Sequence, residues 1–574
     1  MPQSILRTWS RPHDPPALGR TLSSGVVQHH LDPREELTFP QLTESGAHTD
    51  AYLEESATGL VSAREAEAGQ TFAQTSRRVS QSTLVSQGAV TPPSAGEKGS
   101  PAKLEGQQES DDAKLVTWLI DDPQNPRHFG HTKKWVQTLI PTSFCFIAGF
   151  ASSLITGGIP EQAEYFGVSE LVANLVVCVF VVGFGIGPLI LAPLSEMYGR
   201  RIVYIVSMFL YFIFILPECV TTSFAVLIVF RFLSGLMVSG VMTNAAGSIG
   251  DLWAINERGY KMVAFSGILF ASPCLGPLIG GYLTITRGWR AMWWLLFGFS
   301  GGMWAICSPL LVETYAPTLL QWRAKRLRKE SGDNTIMTEQ ERQKRPISEV
   351  MHETLLRPVV MLTTEPIMMC MAGYLSLIYG LLYAFFFAYP IVFIAHGFNA
   401  GEIGLTFLSI FIGIVIVVIA ACPVQERYYR RRVVECGGAT PPPEARLPLM
   451  MVGCVVLPIA LFIFAGTSPK SVHWAGALVS GIPFGFALVA VYISANTYIA
   501  VAFSQYSASA MAAKTFFRSM VGASMPMWIP PFYTALGHFW AGAFFAFLAV
   551  AMAPIPFIFF YYGDRIRARS KMAS

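Results

Sequence analysis

From Trp135 onward this chain is built of twelve apolar stretches, each about 20 residues long, and few folds can accommodate that pattern. The length matches what an α-helix needs to cross the hydrocarbon core of a bilayer. Lipid offers backbone amides no hydrogen bonds, so each stretch must be a helix. The stretches span about 135–157, 170–193, 202–220, 223–245, 261–284 and 289–312, then 364–394, 403–422, 448–467, 474–500, 510–533 and 539–562. The expected fold class is all-α integral membrane, with twelve transmembrane helices in two six-helix bundles, 135–312 and 363–562. A polar loop at 313–362 joins them and carries Arg323, Lys325, Arg326, Arg328 and Lys329. A basic tail follows at 563–574.

Composition removes several function classes. Only 14% of the 574 residues are charged, against about a quarter in soluble proteins. A net charge of +4 gives no bulk attraction to nucleic acid. Nine cysteines include no C-x-x-C pair, and Cys145, Cys178, Cys274 and Cys370 sit in apolar runs, where they read as core. No metal site or cofactor is expected. Residues 1–112 are polar and lack an apolar signal core, so they read as a disordered cytoplasmic tail. Sites near Arg77 and Arg78 are open to phosphorylation there.

Basic residues sit in alternate loops. Lys133 and Lys134 precede stretch 1, Arg200 and Arg201 follow stretch 2, and Arg258 and Lys261 follow stretch 4. Arg427, Arg430, Arg431 and Arg432 follow stretch 8, and Arg565, Arg567, Arg569 and Lys571 end the chain. The positive-inside rule therefore puts both termini in the cytoplasm; Arg287 and Arg290 are exceptions. The cell membrane is expected, with the vacuolar membrane as the alternative, and a monomer in the lipid bilayer.

Arg231 lies within stretch 4, and a guanidinium cannot shed its proton to escape desolvation. Such a residue in a membrane usually marks an ion or substrate path. Satisfaction by backbone carbonyls for packing is the alternative. Glu218, Glu161 and Glu365 all fall near predicted helix ends, so no partner carboxylate is assigned.

Four runs rise above composition: Ala192-Pro-Leu-Ser-Glu-Met-Tyr-Gly-Arg-Arg201; Arg231-Phe-Leu-Ser-Gly with Gly247-Ser-Ile-Gly-Asp251; Ser272-Pro-Cys-Leu-Gly-Pro-Leu-Ile-Gly-Gly281; and Glu313-Thr-Tyr-Ala-Pro317. With the six-plus-six layout and the lead-in Asp121-Asp-Pro-Gln-Asn-Pro126, the chain resembles the major facilitator superfamily, in its fungal drug:proton antiporter branch. The resemblance implies a proton-driven exporter of small organic molecules working by alternating access. It implies a cytoplasmic gate at Glu196, Gly199, Arg200 and Arg201, and proton coupling at Arg231. It also implies an antiporter motif at Gly276, Pro277, Gly280 and Gly281. Relatives in that branch tend to carry an acid where Val501 stands and an amide where Lys514 stands. With Arg518 one turn on, that change predicts either an anion-attracting inner vestibule or a lysine snorkelling to the headgroups, the latter favoured because Lys514 falls near a predicted helix end.

The alternatives separate on sequence features. Export of a small organic anion, such as a dicarboxylic acid, draws on Lys514 and Arg231. Stretch 7 carries Met368, Met369, Tyr374, Tyr379, Tyr383, Phe385 and Phe386, suited either to apolar substrates or to core packing. A membrane enzyme would need a catalytic constellation, and no H-E-x-x-H, G-x-S-x-G or G-x-x-x-x-G-K-[ST] is present. A receptor would need a folded output domain, which neither the tail nor the central loop resembles.

Overall fold

The computed structural model of the protein describes residues 114–119, 122–342, 347–570 and 572–573. The expectations for the tail at 1–112, and those resting on Asp121 and Lys571, lie outside these residues. The membrane helices are α1 His131–Leu154, α2 Leu175–Tyr198, α3 Arg200–Val220, α4 Phe224–Leu252, α5 Ile255–Arg287 and α6 Trp289–Leu310. The second set is α7 Pro366–Ala395, α8 Ala400–Glu435, α9 Pro448–Thr467 and α10 Ala475–Ala502. A last helical run breaks at Gly537, whose φ of 75° suits a residue without a Cβ. Residues 507–536 are therefore α11, and 538–552, continued by Pro554–Arg567, form α12.

Small residues set how these helices cross. A Cβ on Gly183 or Gly235 would run into the backbone of the facing helix, so α2 and α4 touch main chain to main chain. Gly413 and Gly485 do the same for α8 and α10. The crossing recurs six helices later, as an internal repeat requires. Close approach of this kind supplies the van der Waals contact that holds membrane helices together.

The two bundles meet along α2 with α11 and α5 with α8. Asn174, at the start of α2, donates to the Pro526 carbonyl of α11 at 3.0 Å. Gly404 of α8 lies against the backbone of Pro277 and Leu278, and Gly281 of α5 lies against that of Ala400. These last contacts sit at the end of the molecule away from Arg200, Arg258 and Arg430, here called the far end; the other is the basic end.

The connection between the bundles is more ordered than its composition predicts. It holds the helices Ala316–Ser331 and Ile347–Thr364. Ile336–Met337 pairs in parallel with Lys114–Leu115, ahead of α1. The polar sequence is fixed by ion pairs rather than by a core: Arg328 with Glu341 at 2.7 Å, Lys114 with Asp333 at 2.9 Å, and Arg323 with Asp122. The backbone N–H of Gln124 and the Arg323 guanidinium hold the Asp122 carboxyl below the usual carboxylate range, so this tie stays charged at neutral pH.

Candidate functional site

Arg231 is fully buried two turns into α4. Its Nη2 donates to the Ala151 carbonyl of α1 at 2.7 Å, and its Nε to the Val176 carbonyl of α2 at 3.4 Å. The guanidinium lies 4.0 Å from the Phe180 ring centroid and 5.0 Å from that of Trp293. Its Nη1 stands 3.7 Å from Oε2 of Glu218 on α3, and neither side chain is exposed. Of the three carboxylates that the sequence left unassigned near helix ends, Glu218 is thus the one beside Arg231. Ser234 donates to Glu218 Oε1 at 2.8 Å. Arg231 Nη1, Glu218 Oε2, Tyr211 Oη and Trp293 Nε1 make no hydrogen bond. The site thus holds an ion pair at contact distance with unused donors and an unused acceptor around it. Such capacity is rare in a packed interior.

Two adjoining cavities lie between the bundles and share Met242, Leu269 and Arg518. The larger runs from mid-membrane towards the basic end, past Tyr492, Asn496 and Lys514. Lys514 is only 3% exposed and Arg518 only 4%. This overturns the snorkelling expectation: α11 begins at Ser507, so Lys514 sits two turns inside it and faces the cavity rather than lipid. Of the α7 residues, Tyr379 and Tyr383 line the smaller cavity, Tyr374 and Phe386 are buried in the core, and Met369 faces outward. The Tyr379 and Tyr383 hydroxyls are 3.4 Å apart.

At the basic end the expected gate residues take different roles. Gly199 has φ 96°, which lets the chain turn tightly from α2 into α3. Arg200 pairs through Nε with Asp251 at 2.6 Å, not with Glu196, whose side chain is exposed. A Cβ on Gly247 would overlap the Arg200 guanidinium, so that glycine gives it room against α4. Glu313, after α6, accepts from the backbone N–H groups of Arg200 and Arg201 at 3.1 Å each, and from those of Thr314 and Tyr315 at 2.9 and 2.8 Å. A carboxylate here caps the start of α3, where the helix dipole favours negative charge. Glu313→Ala should lower stability by about 2 kcal/mol, a capping loss. Thermal unfolding of the purified variant measures it, and an unchanged midpoint would contradict the capping role.

Gly276 and Gly280 of α5 face α1, where a Cβ would meet the backbone of Leu154. Pro277 and Gly281 face α8 of the other bundle. The expected motif thus serves two contacts, one inside a bundle and one between bundles.

Residues 143–526 match the Major Facilitator Superfamily. The chain belongs to that family. Curated relatives of this facilitator include the transporter paaT of Penicillium rubens, 39% identical over 84% of this chain and 88% of the relative. The efflux pump FUB11 of Gibberella moniliformis is 37% identical, covering 80% and 77% of the two chains. The multidrug transporter mdrA of Aspergillus fumigatus is 38% identical, covering 83% and 78%. Among solved structures, the proton:xylose symporter XylE superposes with a TM-score of 0.53 at 15% identity, over 75% of this chain and 97% of that one, a likeness of fold alone. The facilitator is a transporter and not an enzyme. Sequence reading missed three of its charged site residues. Glu313 and Asp251 lay inside the quoted motifs, while Glu218 is 13 residues before Arg231, across the hairpin turn at 221–223.

Proposed function

We propose that this facilitator exports small organic molecules from the cytoplasm in exchange for protons, with Glu218 carrying the proton and Arg231 reading its charge. The carrying observation is the fully buried pair of Glu218 and Arg231 at 3.7 Å. While Glu218 is ionised the pair is neutral as a unit. One proton on Glu218 leaves a lone buried cation, a change of several kcal/mol in a low-dielectric interior. That favours whichever arrangement of the bundles gives Arg231 another partner or water. The basic end faces the cytoplasm by the positive-inside rule. The cavity, which extends towards that end, is then loaded from inside. The names of the relatives, efflux pumps among them, support export over uptake.

The test is flux in proteoliposomes with an imposed pH gradient. Substrate should accumulate against its own gradient only while the pH gradient lasts, and should stop when a protonophore collapses it. Flux indifferent to the protonophore would remove proton coupling. Absence of flux for anionic, neutral and cationic compounds alike would remove the export reading.

A further inference from the structure

We infer that the cavity between the bundles is built for an organic anion, with its anionic group held between Lys514 and Arg518 and its apolar body against the surrounding rings. This rests on the export reading and names its substrate class.

Lys514 and Arg518 are four residues apart on α11, so they share one face. Both line the larger cavity and both are almost fully buried. No aspartate or glutamate lines either cavity among the described residues. Arg518 Nε and Nη1 have no hydrogen-bond partner. What faces these cations is aromatic: the Arg518 guanidinium is 4.4 Å from the Tyr379 ring centroid and 5.4 Å from that of Tyr492, and Lys514 Nζ is 5.3 Å from the latter. Ring faces attract cations only modestly. Two like charges one turn apart therefore retain most of their need for a counterion, which buried charges almost always find. The remaining wall mixes apolar side chains, among them Met242, Met262, Phe265 and Leu269, with the hydroxyls of Thr243, Ser266, Thr497 and Thr515. Asn496 Oδ1, also on that wall, lacks a partner and can accept from a hydroxyl or amide of the substrate. Free guanidinium donors, an ammonium and a wall that is largely apolar with scattered hydroxyls suit a small carboxylate with an aromatic or aliphatic body.

Charge movement follows. If one proton enters as one anion leaves, both steps move positive charge inward, so each turnover carries two elementary charges. Exchange of one proton for one cation carries none. A potential negative on the cytoplasmic side therefore accelerates anion export directly.

Three probes that share a phenylalkyl body and differ chiefly in head-group charge decide the matter in phosphatidylcholine proteoliposomes under a pH gradient: 4-phenylbutanesulfonate, 4-phenylbutanamide and 4-phenylbutyl-trimethylammonium. Phosphatidylcholine carries no net charge, so no anionic lipid competes for the cations. The sulfonate should be carried with the lowest KM, and faster when the cytoplasmic side is negative. Lys514→Gln should raise its KM by at least about tenfold, as expected for loss of one partner of a buried charge contact. Lys514→Arg should stay within about threefold, because it keeps the charge. Carriage of the amide or the ammonium but not the sulfonate, or an unchanged sulfonate KM in Lys514→Gln, would overturn the anion site and leave the export reading standing. If no probe moves, the export reading falls. Calorimetric binding to the solubilised protein then decides the site by itself: tighter binding of the sulfonate than of the amide, lost in Lys514→Gln and kept in Lys514→Arg, supports it, and equal binding removes it.

Discussion

Replacing Glu218 with glutamine should reduce gradient-driven flux on the order of a hundredfold, the rate equivalent of about 3 kcal/mol for a broken buried pair. The residual flux should ignore the pH gradient, since glutamine neither binds nor releases a proton. Arg231→Ala should be at least as inactive, and less stable as well, because it also empties the space between Phe180 and Trp293. Folding and coupling can be separated. In the double variant Glu218→Gln with Arg231→Gln no buried charge is left without a partner, so it should unfold later than Glu218→Gln alone, yet stay uncoupled. Gradient-driven flux near the normal rate in Glu218→Gln would show that the proton travels elsewhere.

Leucine at Gly281 should block transport at normal abundance, whereas leucine at Gly280 should cut the amount of folded protein. The difference lies in what each residue faces. Gly281 rests on the Ala400 backbone across the bundle interface, so extra bulk holds the far end apart and removes the conformation described here. Gly280 rests on Leu154 within one bundle, where overpacking costs typically about 1–3 kcal/mol and more against rigid main chain. Surface labelling and detergent-extracted monodispersity report abundance, and counterflow exchange reports turnover. Equal behaviour of the two variants would contradict this division of the motif.

The fold was legible because bilayer length and backbone satisfaction leave a hydrophobic stretch so few options. The stretch read at 448–467 coincides with α9, Pro448–Thr467. The stretch at 403–422 fell short, since α8 continues to Glu435 through a polar segment that hydropathy discounts. Arg231 announced itself, as any charge in an apolar run does. Glu218 did not, because it sits two residues before the end of α3, a peripheral place by helix position alone. Arg231 is deeper from its own end of the hairpin, and its long side chain closes the gap to 3.7 Å. Lys514 was misread for a related reason. Distance from a helix end measures depth only where lipid surrounds the helix, and α11 instead borders the cavity between the bundles. The order of the central connection was hidden because ion pairs between distant positions, such as Asp122 with Arg323, leave no periodic trace in sequence.

The most direct measurement is proton release from purified, detergent-solubilised protein in weakly buffered solution, followed with a pH indicator as a transported substrate is added. If substrate and proton compete through the Glu218 and Arg231 pair, wild-type protein should release close to one proton per substrate bound at a pH where nearly all molecules carry it, and about half as much at the pH where half of them do. Glu218→Gln should bind the substrate and release none. Equal proton release from both proteins would contradict the assignment of Glu218 as the proton carrier.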